Sequence, residues 1–146
     1  MSKMLRLVLI GILPLPLGVL FNWLYVEFFF PRPVSMLISV LFLLVWGCIA
    51  FWLSSPGQNA VLQALCMCAF GLLVLALLLY QELVMGEYWS SLVGYGIQAF
   101  FLPWLSLAFV VLSPLVHHIW PLYLAIWAAL FLTSWLGCFL RQRRCR

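Results

Sequence analysis

The chain alternates long apolar runs with short polar separators. Five runs stand out, from Leu5 to Tyr25, Val34 to Leu53, Ala60 to Tyr80, Leu92 to Leu112 and about Ile119 to Leu140; apart from Arg6 at the edge of the first, they contain no Asp, Glu, Lys or Arg. A helix needs about 20 apolar residues to cross a hydrocarbon layer about 30 Å thick, since each residue advances about 1.5 Å. Each run meets that length. None shows the period-two alternation of a membrane barrel strand, so helices are the spanning solution. The pattern predicts an all-α fold: a polytopic transmembrane helix bundle of five spans forming one integral membrane domain, with a basic juxtamembrane tail at 141–146.

The separators carry helix-ending chemistry. Pro31-Arg32-Pro33, the stretch Ser54 to Asn59 with its Pro56-Gly57, the stretch Gln81 to Ser91, and Ser113-Pro114 through His117-His118 are all short. Short links join sequential neighbours and leave no room for a domain outside the membrane. Trp23, Tyr25, Trp52, Tyr80, Trp120 and Tyr123 fall near run ends, where an aromatic ring with one polar atom suits the headgroup level.

Two places inside runs predict irregular helix. Pro14-Leu15-Pro16-Leu17-Gly18 predicts a kink in the first span, whose halves are too short to cross separately. Gly94-Tyr95-Gly96 and Pro103-Trp104 make the fourth run the candidate for a re-entrant or broken helix, giving four crossings instead of five.

Sidedness bears on that choice. Five crossings put Lys3 and Arg6 opposite Arg32 and the tail Arg141, Arg143, Arg144 and Arg146, so the larger basic set would face the cytoplasm and the N-terminus would not. Yet a basic N-terminal flank ahead of an apolar run normally stays cytoplasmic. The two expectations agree only for an even number of crossings.

Composition narrows function more than it defines it. Of 146 residues, 68% are hydrophobic and 7% charged, against roughly 45–50% and 25% in soluble proteins. That excludes a water-soluble globule and a disordered chain. With no Asp and three Glu, all outside the runs, intramembrane carboxylate pairs are absent. No glycine loop followed by Lys and Ser or Thr occurs to cradle a phosphate. The net charge of +4 rests mostly on the tail, which suits anionic lipid headgroups better than nucleic acid, so no nucleic-acid partner is expected. Cys66-Met67-Cys68 places its thiols on different helix faces, and the five cysteines sit at scattered depths. Neither a metal site nor a disulfide framework is expected, and no cofactor is implied.

The candidate functional positions are therefore polar groups that lipid does not satisfy. Asn22, Gln63 and Gln98 lie within runs, with Ser35, Ser39, Ser106, Thr133 and Ser134 as less costly companions. Glu27, Arg32, Glu82 and Glu87 form a rim in which Arg32 has acidic neighbours for an ion pair. His117 and His118 with Ser113 make a poor catalytic dyad, since Pro114 intervenes and no carboxylate orients them. Small residues recur every fourth position at Ala125, Ala129, Thr133 and Gly137, and at Ala60, Ala64 and Cys68. Such ridges let helices pack closely, inside the bundle or against a second copy.

The expectation is a non-enzymatic accessory or assembly subunit of a membrane complex, with the lipid bilayer and a homo-oligomer or larger membrane subunit as partners. The alternative is a small transporter, channel or substrate-binding membrane component. In style the chain resembles small multi-pass proteins of bacterial cytoplasmic membranes, a likeness that transfers no residue roles.

Overall fold

The computed structural model describes residues 3–87, 90–112 and 118–144. These residues form helices and no strand. The first apolar run divides into α1 (Lys3–Ile10) and α2 (Pro14–Phe28), followed by α3 (Arg32–Leu53), α4 (Ala60–Tyr80) with a π turn over Gln81–Met85, α5 (Leu92–Leu112) and α6 (Trp120–Arg144). Five stretches are long and apolar enough to cross a membrane, the first being Met4–Phe28 with α1 and α2 joined in one span.

Local chemistry explains the boundaries. Between α1 and α2 the helix tightens, with Leu13 N donating to Ile10 O at 2.9 Å. Pro14 and Pro16 follow in the first turn of α2, where a missing amide donor leaves little unsatisfied. The expected kink is there. α2 ends on Phe29 at φ 45°, a left-handed cap that usually falls to Gly or Asn and here reverses the chain within three residues. Asn59 caps α4 by accepting from Val61 N at 2.9 Å. The basic tail does not stand apart from α6, which continues to Arg144. α5 runs unbroken over Pro103, so neither of its expected weak points ends the helix.

Helix directions follow from contacts at the ends. Glu82 Oε1, just past α4, accepts from Trp120 N at the start of α6 at 3.2 Å. Gln142 Nε2, near the end of α6, donates to Gln58 O, just before α4. α4 and α6 are thus antiparallel. α3 runs parallel to α6, since Trp46 Nε1 donates to Ser134 Oγ at 2.8 Å and the Arg141 guanidinium lies 5.6 Å from the Phe51 ring centroid, further along both helices.

Those directions constrain α5. It must take the chain from the end where α4 finishes to the end where α6 begins, and these are the same end. Its contacts agree: Asn22 Nδ2 donates to Tyr95 Oη at 2.8 Å, while Phe109 and Val110 lie beside Arg32 at the start of α3. Val111 and Leu112 lie beside Ala125 and Ala129 in the first half of α6. Only its middle goes deeper, where Ser39 Oγ, two turns into α3, donates to Pro103 O at 2.6 Å.

The ends that these helices share differ from those that five alternating crossings would pair. The tail residues Arg141, Arg143 and Arg144 share an end with the 54–59 loop and, through the packing of α1 on the first half of α4 at Gly11 and Met67, with Lys3 and Arg6. The opposite end holds all three acidic residues, Glu27, Glu82 and Glu87, with Arg32.

Close packing holds the bundle. A Cβ on Gly137 would lie 2.5 Å from Gly47 O and 3.1 Å from Ala50 Cβ, so α3 and α6 touch nearly backbone to backbone. A Cβ on Gly18 would collide with Ala99 O, where α2 crosses α5. The core gathers Met67, Leu78, Phe100, Phe101, Trp104 and Leu130, while Leu37 and Trp52, each 70% exposed, face outward as lipid-contacting side chains do.

Candidate functional site

The polar pattern along α3 builds the most distinctive feature. Arg32, Ser35 and Ser39 recur at helical spacing on one face, the face that meets α5. Ser39 is consumed by packing through its contacts with Pro103 O and, at 2.9 Å, Ser35 O. One turn nearer the acidic end, α5 and α3 diverge and leave a recess of about 320 Å³ bounded on the third side by α2.

The recess is amphipathic. Phe21, Met36, Leu102, Leu105, Phe109 and Val110 supply apolar walls, and Asn22, Tyr25, Arg32, Ser35 and Ser106 supply polar atoms. Arg32 is the one charged side chain of the lining. Ser35 is 2% exposed, and its Oγ has no hydrogen-bond partner. Burying a hydroxyl without a partner is unfavourable, which singles out this atom as a group awaiting an acceptor or donor. The Asn22 to Tyr95 bond ties α2 to α5 beside the recess.

The other sequence candidates have structural partners or stand apart. Gln63 is fully buried and clamps the α3–α4 loop, accepting from Ser55 N at 2.6 Å and donating to Ser55 O at 3.0 Å and Gln58 O at 3.1 Å. Its partner is thus the loop. Gln98 is half-buried and forms no side-chain hydrogen bond among the described residues. Glu82 caps α6 through Trp120 N. Glu27 is exposed at the acidic end, and the expected ion pair with Arg32 does not form among the described residues.

One small-residue ridge turns inward whole; of the other, Ala125, Ala129 and Thr133 keep partial exposure. Ala60, Ala64 and Cys68 are buried, and Gly137 seals against α3. Thr133 bonds its own helix at Ala129 O, 2.8 Å away. Ala125 and Ala129 line a second, apolar cavity of about 200 Å³ with Leu43, Trp104 and Ala108.

Chemistry finds little support elsewhere. Among the described residues no three His, Cys, Asp or Glu converge to hold a metal ion, and Cys48, Cys66, Cys68 and Cys138 are free thiols. His118 is exposed, while Ser113 and His117 lie outside the described residues. Sequence reading named Asn22 and Arg32 but ranked Ser35 and Ser106 low. The signal that would have promoted Ser35 is its i,i+3 relation to Arg32 on the face that Ser39 extends. No family model, curated protein or solved structure matches this chain.

Proposed function

We propose that the protein is a non-enzymatic, substrate-binding membrane component that takes an amphiphilic molecule into the recess between α2, α3 and α5. The observation that carries this reading is an apolar recess with Arg32 beside it and the unpartnered Ser35 hydroxyl in its wall. Ligand sites combine mostly apolar linings with a few placed polar groups, at volumes of roughly 300–1,000 Å³. The recess favours this reading over an accessory subunit, because it offers a ligand a pocket with both apolar and polar walls.

The same reading gives α5 a role. Entering and leaving at the acidic end, it acts as a re-entrant helix, so the chain crosses four times and both termini share the basic end. Lys3, Arg6 and the tail arginines then all face the cytoplasm, as the positive-inside rule requires, and the two conflicting sequence expectations agree. The recess opens toward the other side. Short loops between apolar helices fit a bacterial cytoplasmic membrane.

Reporter fusions test the topology: cytoplasmic activity at both termini is expected, and opposite locations overturn it. Native mass spectrometry of the detergent-purified chain tests the site. A bound amphiphile is expected on the wild type and is lost in Leu105→Trp, which fills the recess; equal occupancy in both overturns the assignment.

A further inference from the structure

Resting on that reading, we infer that the recess selects an amphiphile with an anionic phosphate or carboxylate head, held by Arg32 and Ser35. The Arg32 guanidinium offers a fork of donors shaped for a carboxylate or phosphate. It has no carboxylate partner among the described residues, although Glu27 lies on the same end of the molecule. Arg32 is exposed at the rim of the recess, so an anionic head can reach it without displacing a counter-charge.

Ser35 gives the site a second, directional contact. It lies one turn along α3 from Arg32, is nine-tenths buried or more, and its hydroxyl is unpartnered. An anionic oxygen bound to Arg32 from within the recess meets that hydroxyl as an acceptor. The neighbouring Ser39 is not available, since Pro103 O already takes its proton. Size limits the occupant: about 320 Å³ accommodates a head with the first part of a chain, so the remainder of the chain lies outward over Phe109 and Val110. Both are exposed, at 55% and 42%, and apolar. A soluble anion would fill the polar edge and leave the apolar walls of Leu102 and Leu105 unused.

The test uses the full chain in detergent micelles, with binding read by native mass spectrometry and by displacement of a fluorescent fatty acid. The probes are phosphatidylglycerol, phosphatidylcholine with the same acyl chains, oleate and inorganic phosphate. Phosphatidylglycerol and oleate are expected to bind about tenfold more tightly than phosphatidylcholine, the scale of one charge-assisted contact. Arg32→Gln should reduce that ratio to about one while phosphatidylcholine binding persists, and Ser35→Ala should lower phosphatidylglycerol affinity about threefold. Retained phosphatidylcholine binding also shows that Arg32→Gln is folded. Equal affinities for the two lipids in the wild type overturn the anionic selectivity and leave the amphiphile reading standing. Displacement by inorganic phosphate as effective as by oleate overturns the amphiphile and assigns a soluble anion. No lipid bound at all overturns both.

Discussion

The two seams made by α3 are built differently. Toward α6 it is sealed: Gly47 and Ala50 receive Gly137 at near-backbone distance. There the buried Trp46 indole finds Ser134 Oγ, which in turn donates to Leu130 O at 2.7 Å. Toward α2 and α5 it is closed at one level by Ser39 on Pro103 and opens one turn away, where Ser35 lacks a partner. Lipid supplies no hydrophobic drive for helices to associate, so close contact and hydrogen bonds must hold them. Where the same helix uses these devices fully on one side and leaves a polar-edged gap on the other, the gap reads as a site and the seal as its frame.

The sharpest way to break that contrast is at the seal. Gly137→Val places branched atoms into Gly47 and Ala50 and should destabilise the protein by about 3 kcal/mol, at the upper end of overpacking costs. Denaturant unfolding in micelles followed by tryptophan fluorescence measures it. A loss under about 1 kcal/mol would show that α3 and α6 separate freely. Gln63→Leu comes next, at about 2 kcal/mol, because it removes the three hydrogen bonds that clamp the part-buried loop, the acceptor 2.6 Å from Ser55 N among them. Trp46→Phe keeps most of the packing and deletes one bond to Ser134, so about 1 kcal/mol is expected by the same measurement.

The sealed half was more legible in the sequence than the open half. The runs ending at Leu53, Tyr80 and Leu112 match helix ends, because uninterrupted apolarity and the Pro and Gly separators are local signals. The small-residue ridge with Gly137 was visible as a period of four, although which helix it met was not. Sidedness was less legible for a different reason. Counting runs assumes that each apolar run crosses, and α5 is long and apolar enough to do so; the re-entrant course we propose for it depends on contacts with α2, α3 and α6 that no local pattern encodes. The site suffered likewise. Asn22 stands out by its cost in lipid and Arg32 by its charge at the rim, but Ser35 matters only because α5 diverges there, and Gln98, the most conspicuous polar residue of α5, forms no side-chain hydrogen bond among the described residues.

The smallest expected effect sharpens the comparison most. Ser35→Ala removes a buried hydroxyl that has no partner, so no hydrogen bond is lost. Stability without ligand should stay within about 0.5 kcal/mol of the wild type or rise slightly. Ser39→Ala, one turn along the same face, removes the bond to Pro103 O and should cost about 1 kcal/mol. With saturating phosphatidylglycerol the order reverses in kind: ligand stabilises the folded state according to its affinity, so Ser35→Ala gains less from lipid than the wild type does, whereas Ser39→Ala gains as much. Melting curves of the three proteins with and without lipid separate the two serines. If Ser35→Ala is as destabilised as Ser39→Ala before lipid is added, the hydroxyl has a structural partner and the open seam is a frame after all.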